Sequence, residues 1–292
     1  MQVCFIGLGA MGYPMAGHLQ EKGFALSVYN RSGAKAAQWS EQYGRGASDS
    51  LAAAVAGVEV VALCLGADED VREVLTGPQG VFALMAAGGI VVDHTTTSAA
   101  LAREMAVLAA DYGHSFIDAP VSGGQAGAVN GRLTVMAGGD ASAFARVETV
   151  LAAYAARYQL LGPAGSGQLA KMVNQICIAG LVQGLAEGMH FGAQAGLDMA
   201  AVVDVIGAGA AQSWQMDNRA KTMLAGEFDF GFAVDWMRKD LGYVLDEARQ
   251  RKLSLPVTAL VDQFYAQVQN LNGGRYDTSS LLLALQQGAK KA

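Results

Sequence analysis

The stretch "GSGQLAKMVNQ" places one lysine and two side-chain amides close together in an otherwise apolar segment. Lys171, Asn174 and Gln175 stand at positions i, i+3 and i+4, and this spacing puts them on one face of a helix. A lysine among apolar neighbours gains access to its neutral form, so it can exchange a proton with an alcohol. The segment therefore predicts acid–base chemistry at Lys171 rather than a simple solvated helix face.

A glycine pattern near the N-terminus is typical of dinucleotide binding, although a glycine-rich turn without a ligand is the alternative. The pattern G-x-G-x-x-G follows an apolar strand directly and precedes a helix. Its first glycine permits a tight turn, the second lets the backbone approach a pyrophosphate, and the third allows close helix-to-strand packing. The helix N-terminus adds amide donors and a partial positive charge. The loop predicted to bind the cofactor comprises Gly7, Leu8, Gly9, Ala10, Met11 and Gly12.

The end of the second predicted strand carries no acidic residue. An Asp or Glu there would bind both adenosine ribose hydroxyls and repel a 2′-phosphate, whereas an arginine accommodates that phosphate. The stretch "YNRS" offers Asn30 as a neutral partner, Arg31 as a cation and Ser32 as a hydroxyl donor. These residues favour NADP(H). NAD(H) is the weaker alternative, which applies if Arg31 is only a solvated loop residue.

Two further stretches hold candidate polar groups. In "DAPVSGG", Ser122, Gly123 and Gly124 end a strand and could offer a hydroxyl and two backbone amides to a carboxylate, with a tight turn as the alternative. In "FAVDWMRKDLG", Lys239 and Asp240 fall within a helical pattern. By themselves these last two residues form an ordinary charged pair on a helix.

The candidate residues are distributed over two regions with different patterns. Up to about residue 162, short apolar runs alternate with helical segments, which is typical of a parallel sheet covered on both faces. From Gln168 onward helical periodicity dominates, and a segment of ~29 residues predicts one long helix. We expect an α/β protein in which a Rossmann-like, doubly wound domain (1–162) precedes an all-helical domain (163–292), with the long helix between them.

Composition and charge exclude several classes of function. The net charge of −6 and the lack of clustered Lys and Arg argue against nucleic-acid binding. The histidines and cysteines show no ligand spacing, so we expect no metal site and predict that the three cysteines are small buried residues. No basic leader and no run approaching ~18 apolar residues are visible, so we expect a cytoplasmic protein that does not enter a membrane.

The ordered motifs resemble those of the β-hydroxyacid dehydrogenase family, also called the 3-hydroxyisobutyrate dehydrogenase family. "FIGLGAMGYPM", "DAPVSGG" with "GRLTVMAGG", "GSGQLAKMVNQ" and "KDL" occur in family order over essentially the whole chain. The resemblance implies a Rossmann-like domain, a helical domain, and homodimers or homotetramers formed through the helical part. The "NRS" stretch looks like the branch that reduces glyoxylate and succinic semialdehyde with NADPH.

The resemblance also implies roles for individual residues. Lys171 would be the catalytic acid/base, and Asn174 would orient the substrate. Lys239 would reach the region of cofactor and substrate. The substrate-binding residues implied are Ser122, Gly123, Gly124, Gln175, Phe232 and Asp240, and the further cofactor contacts are Leu65, Gly66, Thr95 and Thr96.

The expected function is hydride transfer between NADP(H) and a small aldehyde acid or hydroxy acid. Members of the family that reduce imines generally lack a lysine at the position of Lys171, so its presence favours a carbonyl substrate. Trp236 and the stretch "HTTTSAA" depart from the usual family pattern, which puts transfer of a substrate from any one relative in doubt. The alternatives are an NAD-dependent dehydrogenase of 3-hydroxyisobutyrate or another 3-hydroxy acid, and a non-catalytic nucleotide sensor.

Overall fold

The computed structural model describes residues 1–44 and 46–289 of the 292-residue chain. The chain forms two compact units, which divide between Lys171 and Met172. The boundary predicted at residues 162 and 163 lies just before the long helix that starts at Ser166, whereas the compact units divide inside that helix.

The first unit is built on a parallel sheet of five strands in the order β2-β1-β3-β4-β5. Alternate residues of these strands point to opposite faces, and both faces are buried. Val3 and Phe5 enter one apolar core, while Cys4 and Ile6 enter the other. The strands are β1 (Gln2–Ile6), β2 (Ala25–Tyr29), β3 (Val60–Leu63), β4 (Ile90–Asp93) and β5 (Ser115–Asp118).

Helices cover both faces of this sheet, which confirms the predicted doubly wound architecture. The chain runs from β1 to β2 on one side and from β2 back past β1 to β3 on the other, so the order reverses between β1 and β3. Such a switch point is where open α/β sheets bind ligands. The helices are α1 (Gly12–Glu21), α2 (Gly33–Tyr43), α3 (Leu51–Val55), α4 (Asp68–Thr76), α5 (Val81–Leu84) and α6 (Ala99–Asp111).

A smaller sheet of three strands completes the first unit. In it β6 pairs antiparallel with β7, and β7 pairs parallel with β8. An isolated bridge joins Asp118, the last residue of β5, to Gly138, the residue after β7. The elements are β6 (Val121–Ser122), α7 (Gly124–Val129), β7 (Leu133–Ala137), α8 (Ala141–Leu151) and β8 (Ala155–Leu160).

The regular elements of the second unit are all helices within the described residues, as predicted, and loops connect them; an isolated bridge joins Ala233 and Asp277. Asp198 and Ser213 accept hydrogen bonds from backbone amides in the first turns of two helices, which explains where those helices begin. The elements are α9 (Ser166–Gln194), which begins in the first unit, α10 (Met199–Gly207), α11 (Trp214–Ala225), α12 (Val234–Gln250), α13 (Pro256–Asn270), a 3-10 turn (Thr278–Ser280) and α14 (Leu281–Ala289).

The long helix α9 is long and apolar enough to cross a membrane by length and composition alone. Its most apolar stretch of 18 residues has a mean hydropathy of 1.3 and is 39% buried within the chain. Ala179, Val182 and Met189 of this helix belong to the apolar core of the second unit. These contacts are those of a central helix in a folded domain.

One prediction about the cysteines is wrong. Cys4 is buried as expected and Cys64 is half-buried, but Cys177 is exposed on α9. The apolar residues around Cys177 occupy the whole circumference of the helix, and only one side of that helix faces the core. Burial therefore does not follow from an apolar neighbourhood in sequence.

Candidate active site

The glycine-rich loop between β1 and α1 uses its three glycines in different ways. Gly7 has a φ of +95°, and a Cβ there would lie 2.3 Å from the carbonyl oxygen of Cys64. A Cβ on Gly12 would lie 2.0 Å from the carbonyl oxygen of Gly7. Gly9 differs, because a Cβ there would meet nothing within 4 Å. The chain's own backbone thus requires the first and third glycines, and open space at Gly9 fits the close approach of a pyrophosphate.

Asn30 ties this loop to the end of β2. Its Oδ1 accepts a hydrogen bond of 2.9 Å from the backbone N of Leu8, and its Nδ2 donates to the carbonyl oxygen of Ser32 at 3.1 Å. An aspartate could accept the first bond but could not donate the second. The neutral amide predicted as a ribose partner therefore also holds the backbone of the predicted cofactor loop.

Arg31 and Ser32 follow at the carboxyl end of β2, where α2 begins. The Arg31 side chain is 87% exposed, and its guanidinium lies 3.8 Å from a carboxylate oxygen of Asp70. An exposed pair of this kind contributes little to stability. Ser32 precedes the first turn of α2 and makes no capping hydrogen bond with its side chain. A cation, a hydroxyl and the positive end of a helix thus stand together at the position predicted for the adenosine ribose.

The segments after β3 and β4 are joined through Thr95. Its Oγ1 accepts a hydrogen bond of 2.9 Å from the backbone N of Leu65, and its own N donates to Asp93 at 2.8 Å. Thr95 is buried, whereas Thr96 is half-buried. Burial raises the pKa of Asp93 to about 7, and the bonds from Thr95 oppose that rise. Of the two predicted threonines, Thr95 shapes the loop and Thr96 has the more accessible side chain.

Asp118, the last residue of β5, holds the start of α9. Its two carboxylate oxygens accept hydrogen bonds from the backbone N of Gly165 at 2.7 Å and of Gln168 at 2.9 Å. The side chain is fully buried, and burial raises its pKa to about 7 while these backbone donors lower it. The carboxylate therefore caps the helix from a neighbouring strand.

Lys171 lies one turn further along α9 and is 8% exposed. Its Nζ donates a hydrogen bond of 2.8 Å to the carbonyl oxygen of Val121. Val121 directly precedes Ser122, and the next two glycines have φ values of +124° and +62°, which favour glycine at both positions. The structure thus brings together the predicted acid/base and the predicted carboxylate-binding stretch.

The predicted residues of the second unit form a chain of polar contacts. Asn174 Nδ2 donates to Gln175 Oε1 at 2.8 Å, and Gln175 Nε2 donates to Asp240 Oδ2 at 2.7 Å. The other carboxylate oxygen of Asp240 lies 3.4 Å from the Nζ of Lys239. Gln175 and Asp240 are both buried. Gln175 therefore serves as the link between Asn174 and the Lys239–Asp240 pair.

Phe232 lies just before α12 and is half-buried against the apolar core of the second unit. Its backbone N donates a hydrogen bond of 3.0 Å to Asp277. Lys239 Nζ lies 5.4 Å from the ring centre of Trp236 and 5.5 Å from that of Tyr243, distances at which a cation is attracted to an aromatic face. Trp236, which departs from the family pattern, thus contacts a predicted cofactor residue directly.

Two buried polar residues are absent from the predicted set although both lie in the quoted motifs. They are Asp118 and Gln168, which are fully buried and bonded to the segments that carry the predicted site. A carboxylate ending an apolar strand and an amide among apolar residues are the sequence signals of such groups. Those signals do not reveal the partners, which come from distant parts of the chain.

His94, at the carboxyl end of β4, is part of the core. Its Nδ1 contacts the carbonyl oxygen of Ala119 at 2.7 Å and its Nε2 the hydroxyl of Tyr154 at 2.8 Å. Burial lowers the pKa of His94 to about 4, so the imidazole is neutral near pH 7. Within residues 1–44 and 46–289, no three His, Cys, Asp or Glu residues are grouped so that they could hold a metal ion.

Comparison with known proteins agrees with this geometry. Residues 2–162 match the NAD-binding domain of 6-phosphogluconate dehydrogenase, and residues 165–285 match the NAD-binding region of NADP-dependent 3-hydroxyisobutyrate dehydrogenase. An uncharacterized oxidoreductase of Shewanella frigidimarina is 59% identical over 98% of each chain. A 3-hydroxyisobutyrate dehydrogenase-like protein of Arabidopsis thaliana is 38% identical over 98% of this chain and 85% of its own.

Two solved structures share the fold. The 3-hydroxyisobutyrate dehydrogenase of Mycobacterium tuberculosis with L-serine has a TM-score of 0.88 and 29% identity over 98% of this chain and 99% of its own. Psf3 in complex with NADP+ and 2-OPP has a TM-score of 0.89 and 27% identity over 97% of this chain and 99% of its own.

The fold, the glycine-rich loop and the matched NAD-binding domains identify an oxidoreductase that uses a nicotinamide dinucleotide. The helical second unit, together with family matches that cover both units, points to a narrower class of oxidoreductase. The chain belongs to the 3-hydroxyisobutyrate dehydrogenase family, the β-hydroxyacid dehydrogenases.

Proposed function

We propose that this protein reduces small aldehydes that bear a carboxylate, with NADPH as the hydride source, and oxidises the matching hydroxy acids in the reverse direction. Glyoxylate and succinic semialdehyde are the proposed substrates. The observation that carries the proposal is the buried amine of Lys171 at 2.8 Å from the carbonyl of Val121, directly beside Ser122. This arrangement places a proton donor next to groups suited to a carboxylate.

The proposal assigns a role to Lys171, Asn174 and the stretch from Ser122 to Gly124. Ser122 supplies a hydroxyl and the amides of Gly123 and Gly124 supply donors, so a carboxylate bound there directs the carbonyl of the same small molecule toward Lys171. The bound nicotinamide supplies the hydride. Lys171 donates a proton to the alkoxide oxygen as negative charge develops on it, and takes that proton back in the oxidation. Asn174 orients the substrate through its side-chain amide.

The preference for NADPH rests on the residues after β2. Arg31 is largely exposed and stands beside Ser32 and the start of α2, while Asn30 is used to hold the loop. No carboxylate follows β2 directly to bind the ribose hydroxyls, so the position favours a 2′-phosphate. Psf3, a structural relative, is solved with NADP+.

An NAD-dependent dehydrogenase of a 3-hydroxy acid is the second candidate function. The mycobacterial relative is solved with L-serine, which is itself a 3-hydroxy acid. The same Lys171 and Ser122 could serve that reaction, because both substrates present a carboxylate near an oxygen that gains or loses a proton. The cofactor and the chain length of the substrate distinguish the two candidates.

Initial rates with NADPH and NADH would test the proposal across glyoxylate, succinic semialdehyde, methylmalonate semialdehyde and tartronate semialdehyde. Lys171→Ala should lower kcat about 100-fold or more, as expected for loss of a general acid. A matched control is Lys221→Ala, which removes an exposed lysine of α11. Full activity of Lys171→Ala would refute the proposed mechanism. Turnover confined to NADH and serine-like substrates would favour the second candidate, and no turnover at all would favour a nucleotide sensor.

We also propose that the protein forms homodimers or homotetramers through α9. One side of this helix exposes Val173 (60%), Leu181 (49%) and Phe191 (73%). Gly184 and Gly188 lie on the same side, and a Cβ at either would meet nothing within 4 Å. An exposed apolar helix face with small residues at its centre suits close contact with another copy.

A further inference from the structure

The side chain of Gln168 joins the first turn of α9 to the segment after β4. Its Nε2 donates a hydrogen bond of 2.8 Å to the carbonyl oxygen of Thr95, and its Oε1 accepts one of 3.1 Å from the backbone N of Thr97. The residue is fully buried. One amide therefore holds both ends of a three-residue turn, and this requires a donor and an acceptor on the same side chain.

This turn stands at the edge of the sheet where a dinucleotide binds. It follows the carboxyl end of β4, two strands from the glycine-rich loop in the order β1-β3-β4. Thr95 also accepts the bond from Leu65 that fixes the segment after β3. The switch point of the sheet lies between β1 and β3, so both segments border it.

The backbone around Gln168 is also held in place. Its backbone N donates to Asp118, and Gly167 before it has no room for a side chain, because a Cβ would lie 2.4 Å from the carbonyl oxygen of Met136. Lys171 is one turn further along the same helix. A displacement of the segment after β4 is therefore passed to the helix turn that carries Lys171.

We propose that Gln168 is a positioning residue that couples dinucleotide binding at the segment after β4 to the placement of Lys171. When a dinucleotide orders Thr95–Thr97, the two bonds of Gln168 order the first turns of α9. The kinetic part of this inference rests on the proposed role of Lys171. The structural part needs only a bound dinucleotide.

Hydrogen–deuterium exchange of peptides from residues 163–172 tests the structural part, with NADP+ and NAD+ each added to saturation. In the wild type, the better-binding dinucleotide should slow exchange of these amides about tenfold, the effect expected of ordering one or two hydrogen bonds. Gln168→Met fills the same volume without either bond, and the slowing should fall below about twofold at full saturation. Equal slowing in both proteins, or none in the wild type, would overturn the coupling.

A matched control lies on the same helix. Gln183 is also buried, and its Nε2 donates one bond of 2.7 Å to Glu187, within the second unit. Gln183→Met should retain the wild-type slowing in residues 163–172. Loss of the slowing in this control as well would show a general weakening of α9 and would refute the specific role of Gln168.

Gln168→Glu keeps the test decisive if Gln168→Met does not fold. A protonated carboxyl has one donor and one acceptor, so it can replace both bonds, whereas the ionised carboxylate meets the carbonyl oxygen of Thr95 without a proton. The slowing of exchange by the dinucleotide should therefore be present in Gln168→Glu at acid pH and lost as the pH rises. The rates are first corrected for the pH dependence of intrinsic amide exchange. A response of this variant that does not change with pH would contradict the proposal.

Kinetics with an active substrate tests the part that depends on Lys171. Gln168→Met should lower kcat about tenfold while the dissociation constant of the dinucleotide changes by less than about threefold. If Gln168→Met raised the dissociation constant of the dinucleotide but left kcat unchanged, Gln168 would only hold the loop. Lys171→Ala, assayed in parallel, separates the two failures, because its full activity would refute the role of Lys171 without changing the exchange result.

Discussion

At the scale of single residues, Arg31 decides the choice of cofactor in the proposed function. Arg31→Asp places a carboxylate where a 2′-phosphate is proposed to bind, and so removes a charge-assisted contact and adds repulsion. We expect kcat/KM for NADPH to fall about 100-fold, whereas kcat/KM for NADH should change by less than about threefold. Initial rates with both cofactors measure the effect.

The control for Arg31→Asp is Lys221→Asp, the same change of charge at an exposed position of α11 in the second unit. It should lower NADPH use only slightly, because a charge near the surface is screened over about 10 Å at ordinary ionic strength. Equal losses in the two variants would show a general electrostatic effect. Equal losses for NADPH and NADH in Arg31→Asp would contradict the assignment of a phosphate contact.

His94 supports a prediction about the pH dependence of stability. The pKa of His94 is lowered from 6.5 to about 4 by burial, so below pH 6.5 the unfolded chain binds a proton that the folded chain does not. The contribution of His94 to the free energy of unfolding is thus fully present above pH 6.5 and is lost as the pH falls toward about 4. Between about pH 7 and about pH 5 the loss should be ~2 kcal/mol.

Urea unfolding of the wild type and of His94→Gln at the two pH values measures this loss. Asp93 and Asp118 have raised pKa values, so their contributions change with pH in the opposite direction. They are common to both proteins and cancel in the difference. The difference in unfolding free energy should shrink by ~2 kcal/mol on acidification. Parallel curves would mean that His94 does not titrate below its usual range.

At the scale of secondary-structure elements, the close approach of α9 to the sheet leads to a prediction at Gly167. A Cβ there would lie 2.4 Å from the carbonyl oxygen of Met136 and 2.6 Å from that of Asp118. Since backbone cannot move aside easily, Gly167→Ala should lower the free energy of unfolding by ~2 kcal/mol. Gly242→Ala in α12, where a Cβ meets nothing within 4 Å, should instead raise it by ~1 kcal/mol through helix propensity.

Urea unfolding of these two glycine variants measures both signs. A stabilised Gly167→Ala would show that the start of α9 is loose against β7, and would weaken the coupling proposed for Gln168. A lower free energy of unfolding for Gly242→Ala would indicate that another group fills the space beside Gly242 in α12. Because both variants add one methyl group, the two measurements compare packing at α9 with packing at α12.

The order of elements in the first unit could be predicted because its strands are apolar on both faces and its loops carry glycine signals. Gly7 and Gly12 could be assigned from the G-x-G-x-x-G pattern itself, although the carbonyl of Cys64 that Gly7 approaches is distant in sequence. The hydrogen bond that Asp118 accepts from the backbone of α9 and the one that Gln168 donates to Thr95 join distant segments, and hydrophobic periodicity does not predict them. The exposure of Cys177 does not follow from the sequence, because an apolar helix does not reveal which side faces the core.

At the scale of the whole molecule, the exposed apolar side of α9 is a feature that contacts within one chain do not explain. Phe191 is 73% exposed, and Gly184 and Gly188 have open space above them. Soluble helices rarely leave such a face uncovered, and glycine costs ~1 kcal/mol within a helix unless close contact requires it. Contact with a second copy would account for both observations.

Gly184→Arg tests this association directly. The arginine would stand at the centre of the exposed face and prevent close approach, so the protein should dissociate toward a mass of 30.2 kDa, whereas the wild type should be a multiple of that mass. Sedimentation velocity at several concentrations measures the change, and far-UV circular dichroism checks that the helices persist. Ala110→Arg, on an exposed position of α6, is the matched control and should assemble as the wild type does. A wild type that remains monomeric at about 100 μM would refute the proposed interface, because stable homo-oligomers form well below that concentration.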